Sequence, residues 1–216
     1  NELLLKISHR FYPAVKDGFD SLWGLNGPAA VLFGFGYGVN YDLAVYLTRS
    51  TSAAETELGA SWLALESEEH GGACVSALMW GNIAFIGSPA EPAFSGGTSF
   101  SKSFGKFSLL AVPAFASMTD LYSPGKTGTL ALGLAGNIQV SENLSLTAEW
   151  VPVLSGYKMS NGWGAGMEYE IGKHLFQLFV ANSTGMTASQ FLPGGYMELG
   201  KGEFRLGFNL FRTFSL

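Results

Sequence analysis

Between residues 29 and 40 the chain reads AAVLFGFGYGVN, with Val31, Phe33, Phe35, Tyr37 and Val39 on one parity and Gly34, Gly36 and Gly38 on the other. A two-residue period is that of a β-strand, whose successive side chains point to opposite faces. The arrangement recurs in GTLALGLAGNIQV, where Leu130, Leu132, Leu134 and Ile138 oppose Thr129, Gly133, Asn137 and Gln139. In LSLTAEW, Leu144, Leu146, Ala148 and Trp150 oppose Ser145, Thr147 and Glu149. Residues 162–171 set Trp163, Ala165, Met167, Tyr169 and Ile171 against glycines, Glu168 and Glu170. A soluble sandwich turns its apolar face into a core and covers the other with bulky charged side chains. Here the polar face is mostly Gly, Ala, Ser and Thr, which suits strands with lipid outside and small polar residues inside.

Composition agrees with this reading. Only 13% of residues are charged, 14% are aromatic, and mean hydropathy is +0.22, against about 25% charged in an average soluble domain. Yet polar residues and glycines interrupt every apolar run before it nears the ~20 residues of a membrane-spanning helix. Helices and closed barrels are the two folds that satisfy the whole backbone in lipid. The expected fold is therefore all-β: a closed antiparallel up-and-down transmembrane barrel of about 12 strands. The 216 residues form one domain, 1–216, and the main alternative on fold is a soluble β-barrel.

Strands are expected near residues 2–13, 29–40, 42–52, 55–66, 72–87, 94–104, 107–118, 127–139, 143–154, 162–171, 174–183 and 203–215. Apolar residues fall on both parities in 72–87, so a bulge is expected there. Short turns at 40–42, 105–106, 141–143 and 172–173 alternate with longer joins at 14–28, 87–93, 119–126, 155–161 and 184–202. That alternation matches short periplasmic turns and longer extracellular loops. The short join near Ala53, on the long-loop side, breaks the pattern. Tyr12, Tyr41, Phe104, Phe107, Trp150 and Trp163 lie near strand ends, where interfacial girdles form.

Three segments carry a family resemblance: SHRF at 8–11, GKHLFQLFVANS at 172–183 and GFNLFRTF at 207–214. Together they resemble an uncharacterised family of outer-membrane β-barrel domains. The resemblance implies a fold and a location; the family carries no established activity, so it transfers no catalytic or binding residue.

Motifs for chemistry are sparse. His9, His70 and His174 are too scattered for metal ligation, and the single cysteine, Cys74, makes no disulfide. His70 sits in the acidic run ESEEH, which a solvated turn accounts for. No metal or cofactor is expected. GFGYG at 34–38 is alternation within a strand rather than a nucleotide loop. Ser8 and His9 point to opposite faces and cannot act together, so the chain is not expected to be an enzyme. The net charge of −5 is spread without a run of like charges, which argues against nucleic acid.

The informative charges are those on the inward parity: Lys6, Arg10, Glu57, Glu149, Glu168, Glu170 and Arg205. They fit a wet lumen, where they line a pore with a transverse field, or a filled one braced by internal salt bridges. His174 and Arg212 fall on the outward parity near the periplasmic ends of neighbouring strands, positions for a lipid head group, a partner protein or interfacial snorkelling. The leading functional expectation is a porin-like channel for small polar solutes in the bacterial outer membrane. The alternatives are a structural barrel within an envelope complex, and a carrier of hydrophobic ligands with a lateral opening near residues 72–87 and Pro113. The expected partners are outer-membrane lipids and, in the structural reading, other envelope proteins.

Overall fold

The computed structural model describes residues 2–69, 73–120 and 127–215, so His70 lies outside the described residues. The strands are β1 (Glu2–Phe11), β2 (Ala29–Gly38), β3 (Leu43–Ser50), β4 (Glu55–Glu69), β5 (Ala73–Ile86), β6 (Glu91–Phe104) and β7 (Phe107–Ala116). There follow β8 (Thr129–Gln139), β9 (Leu144–Val151), β10 (Val153–Gly156), β11 (Gly162–Ile171), β12 (His174–Ala181) and β13 (Arg205–Ser215). From β1 to β9 each strand pairs antiparallel with the next, β9 pairs on with β11, β11 with β12 and β12 with β13, β10 pairs with β8, and β1 pairs with β13, so the sheet closes on itself. β9 and β10 are two halves of one strand interrupted at Pro152, which makes the closed barrel twelve-stranded. Pro152 cannot donate to the ladder, but its carbonyl accepts from the Leu132 N–H at 3.0 Å, and β10 resumes pairing with β8. Closure leaves no strand edge to meet lipid unpaired.

The outward parity carries the large apolar side chains, among them Phe33, Leu47, Leu58, Phe94, Leu146, Met167 and Leu178, all exposed. Tyr41, Phe104, Phe107 and Trp150 are exposed near strand ends as the girdle pattern requires, and Phe104 stacks on Phe107 at 5.8 Å. The connections 39–42, 105–106, 140–143 and 172–173 are short and share one end of the barrel with the start of β1 and the end of β13. The segments 12–28, 51–54, 87–90, 117–120, 127–128, 157–161 and 182–204 share the other.

Two details differ from the sequence-based expectation. First, the bulge lies in β4 rather than in β5: the register with β5 shifts between Leu63 and Leu65. The shift lets Leu58 and Trp62, of even number, and Leu65, of odd number, all face outward. β5 keeps one parity throughout, with Met79, Ile83 and Phe85 outward. Its mixed appearance arises because Trp80 and Ile86 turn inward, where each meets an apolar cluster at the loop end. Second, β6 begins at Glu91, because Pro92 pairs with Phe85 near the strand's start, where a proline is tolerated. That shortens the join to residues 87–90. The β6–β7 ladder skips the positions opposite Val112 and Pro113 and resumes beyond them in the same register.

Candidate functional site: a polar lumen beneath a loop cap

The barrel encloses a cavity of about 1130 Å³. Its lining runs from Glu2, Gly38 and Thr213, near the short-turn end, up to Thr187, Phe191 and Leu192 at the loop end. Strand alternation delivers one residue in two to it, so the small inward residues Gly34, Gly36, Gly133 and Gly164 set its width. Five of the charges expected to face inward line it: Lys6, Arg10, Glu57, Glu149 and Glu168. Glu170 lies at the rim instead, bordering a shallower depression with Lys173 and His174. Arg205 is buried at the loop end of β13 and lies outside the cavity lining, its guanidinium 4.4 Å from the Tyr196 ring centre and donating to the Tyr196 hydroxyl.

Neutral side chains hold the lumen charges. Arg10 donates through Nη1 to Asn209 Oδ1 at 2.9 Å and lies over the Phe179 ring at 4.2 Å. Asn209 donates in turn to Gln177 Oε1, Gln177 donates to Glu168, and Asn137 donates to the other Glu168 oxygen at 3.1 Å. This chain of hydrogen bonds runs along the wall from β1 to β8 through β13, β12 and β11. On the opposite wall Thr48 and Asn82 donate to Glu57 at 3.1 and 3.3 Å, and Tyr46 donates to Asn82. Lys6 faces the Phe211 ring at 5.5 Å. The ion pairs among the described residues, Lys16–Glu203 and Lys201–Glu198, both lie in the loops. Replacing Gln177 by leucine should leave Asn209 and Glu168 each one partner short. In a lumen that water can enter this costs about 1 kcal/mol, read as a lower urea midpoint for unfolding from liposomes.

The loop end is closed by the segment 182–204, which folds over the cavity and carries a short helix, Ala188–Phe191. Glu55, at the start of β4 and fully buried, anchors it. Ser189 Oγ donates to its two oxygens at 2.6 and 2.7 Å, Thr187 Oγ1 donates at 2.9 Å and Gln190 Nε2 at 2.8 Å. Leu192, Phe191 and Ala188 pack below onto Ala114, Ala116, Ala131 and Val151, alanines small enough to admit them. The cap also rests on the 157–161 loop: buried Asn182 donates to the Asn161 carbonyl at 2.9 Å, and the Met159 N–H reaches the Pro193 carbonyl at 3.0 Å. Gly194 has φ of +85°, and a Cβ there would lie 1.7 Å from the Ser160 carbonyl oxygen. Gly194→Ala should cost about 1–3 kcal/mol of local stability, seen as faster protease cleavage within 182–204 of the folded protein.

Outside the membrane-spanning strands, Lys16 on the 12–28 loop joins Glu203 beside the cap at 2.6 Å and holds its carboxyl below the usual carboxylate range. A lowered carboxyl contributes stability above its ordinary range and loses it as acid protonates the group. The 12–28 loop should therefore loosen from the cap in strong acid, a small effect for an exposed pair.

On the outer wall Ser8 is buried inward while His9 faces out, stacked on Phe208 at 5.0 Å and close to Phe11 at 4.4 Å. The cross-strand partners of His9 are Val31 and Phe208, both apolar. At the opposite end His174 and Arg212 are direct cross-strand partners, stacked on Phe176 and Phe214 respectively. Missed by sequence reasoning were Glu55 and the cap residues that meet it. Asn209 and Gln177, also missed, sit on the inward parity of two segments with clear alternation.

Among solved structures the chain is similar to outer membrane phospholipase A from Escherichia coli, with 15% identity over 98% of this chain and 89% of that one and a TM-score of 0.52. It is also similar to LpxR from Salmonella typhimurium, at 10% identity over 100% of both chains and a TM-score of 0.49. Omp33 of Acinetobacter baumannii shares 10% identity over 99% of this chain and 98% of that one, with a TM-score of 0.48. No curated protein matches by sequence. At such identity the likeness to the phospholipase is one of fold alone. A family model, however, spans residues 1–214, and the chain belongs to that family, the membrane bound beta barrel domain DUF5777.

Proposed function

We propose that this protein is an integral barrel of the bacterial outer membrane that admits small polar solutes to its lumen from the short-turn, periplasmic end, and whose passage to the other side is governed by the 182–204 cap. The observation that carries the reading is the cavity of about 1130 Å³, lined by glycines and five charged side chains among apolar ones, ending under a cap held by side-chain hydrogen bonds. Strand ladders cannot open without unpairing backbone in lipid, whereas a loop held by a few hydroxyl and amide groups can lift. Lipids of that membrane surround the apolar face, and His174 with Arg212 sits where phosphate head groups lie if the short-turn end is periplasmic. The test is planar-bilayer conductance of the purified barrel. Brief openings over a closed baseline are expected; a barrel that inserts and stays silent even with residues 184–202 replaced by a short linker would falsify the channel reading.

A second reading, a structural barrel holding other envelope proteins, is favoured by one observation. The 12–28 loop exposes Phe19, Leu22, Trp23 and Leu25 beyond the strand ends. Recovery of a stable complex in mild detergent, lost when Phe19 and Trp23 are replaced by serine, would favour it over the channel. The carrier of hydrophobic ligands loses one of its two supports, since the β5–β6 ladder runs unbroken from Cys74 to Ile86, and keeps the other, the two pairs missing from the β6–β7 ladder opposite Val112 and Pro113.

A further inference from the structure

Arg10 and Glu149 face the same stretch of lumen wall beneath the cap, and the wall between them is paved flat. Arg10, Gly207, Phe179, Gly166 and Thr147 form one cross-strand row through β1, β13, β12, β11 and β9. The Phe179 ring lies along that row because its neighbours are glycines. A Cβ at Gly207 would come within 2.6 Å of the ring, and one at Gly166 within 2.5 Å of Phe179 Cβ. The Arg10 guanidinium rests on this ring while its Nη1 stays within reach of the His9 and Phe208 carbonyls on β1 and β13. From the other side Glu149 leans over Gly164, where a Cβ would meet its carboxylate oxygen at 2.8 Å. The guanidinium thus lies beside β13 and the carboxylate over β11, with β12 and the Phe179 side chain between them, a gap of about two strand spacings at most.

The two charges feel one another's field but do not form an ion pair, which would bring them within 4.0 Å. Their bonding capacity is also unequal to their partners. Arg10 commits Nη1 to Asn209 and to the His9 and Phe208 carbonyls, and its other N–H groups make no hydrogen bond to a described residue although Arg10 lines the cavity. Glu149 receives no hydrogen bond from any described residue, although it lines the cavity. A guanidinium binds a carboxylate through paired N–H donors, and a carboxylate binds an ammonium, each by short charge-assisted bonds. An α-amino acid presents those two groups on adjacent carbons, and with a charge-assisted bond of about 2.8 Å at each end it bridges a gap of that order. Lys6, four residues below Arg10 on the same face of β1, adds positive field on the route from the short-turn end. The aliphatic part of such a solute would lie on Phe179.

We propose that this patch is a binding site for small zwitterions, amino acids or the ends of short peptides, with Arg10 taking the carboxylate and Glu149 the ammonium. The proposal names the solute class for the channel reading above and rests on it for the solute's entry. Calorimetry on the purified wild-type barrel in detergent tests it, with L-alanine as probe and acetate and ethylammonium as half-probes. L-Alanine is expected to bind at least tenfold more tightly than either half-probe. Arg10→Gln and Glu149→Gln should each weaken it by at least tenfold, with heat-modifiable gel mobility confirming that the variants are folded barrels. Equal binding of alanine and its half-probes overturns the proposal without needing any variant, as does alanine binding that ignores both substitutions. Conductance with no alanine binding would sink the zwitterion site and leave the channel standing. Alanine binding in a barrel that never conducts would do the reverse.

Discussion

In the channel proposed above, Glu55→Ala should raise the open-to-closed ratio about a hundredfold in single-channel recordings. Three donors converge on that one carboxylate: the Ser189 hydroxyl, shared between its two oxygens, the Thr187 hydroxyl and the Gln190 amide. Bonds to a charged acceptor contribute about 1.5–3 kcal/mol each, but burying the carboxylate offsets part of this, and the donors regain water when the cap lifts. A net loss of about 3 kcal/mol is a factor of about one hundred at 1.4 kcal/mol per tenfold. Glu55→Gln should give a smaller increase, because the amide keeps one acceptor oxygen for Ser189. Gln190→Ala should fall between wild type and Glu55→Ala, since it removes the bond to Glu55 and the one to the Ser52 carbonyl. Equal open probability in wild type and Glu55→Ala would mean that the cap does not gate the pore.

Placing an arginine at Leu178 should destabilise the folded barrel in liposomes by about 2–4 kcal/mol, the cost of a guanidinium on the lipid face near the bilayer midplane. Leu178 is 58% exposed on the outward parity of β12, far from either strand end. One residue earlier, Gln177 lines the cavity, so Gln177→Arg should escape the lipid penalty and cost only the hydrogen bonds it disturbs. The pair of variants differs by a single step in sequence yet by the whole thickness of the wall. Urea titrations in phosphocholine vesicles would measure both, and equal destabilisation would contradict the assigned faces.

Much of this architecture is legible in the sequence because lipid and lumen make opposite demands on alternate residues. A glycine, serine or carboxylate on one parity and a leucine or aromatic on the other leaves little choice of face. The inward placement of Lys6, Arg10, Glu57, Glu149 and Glu168 follows from parity alone. Parity fails where the register itself changes. At the β4 bulge one extra residue switches the outward set from even to odd numbers, and nothing in ETELGASWLALESEE marks which residue is added. It also fails where an inward residue is apolar for a reason other than lipid: Trp80 packs against the cluster that receives the cap. The cap is the least legible part. Its contacts with Glu55 join residues 132 to 135 positions apart through individual hydroxyl and amide groups, and such contacts have no period.

That same separation has a consequence for assembly. The donors lie between β12 and β13, the last two strands, and the acceptor lies on β4, so the cap finds its anchor only when the two ends of the sheet have met. Contacts this distant in sequence form late, after the loop-closure entropy of the intervening chain has been overcome. A barrel halted before its seam joins would be a leaky intermediate, and the lumen becomes sealed in the same event that completes the wall.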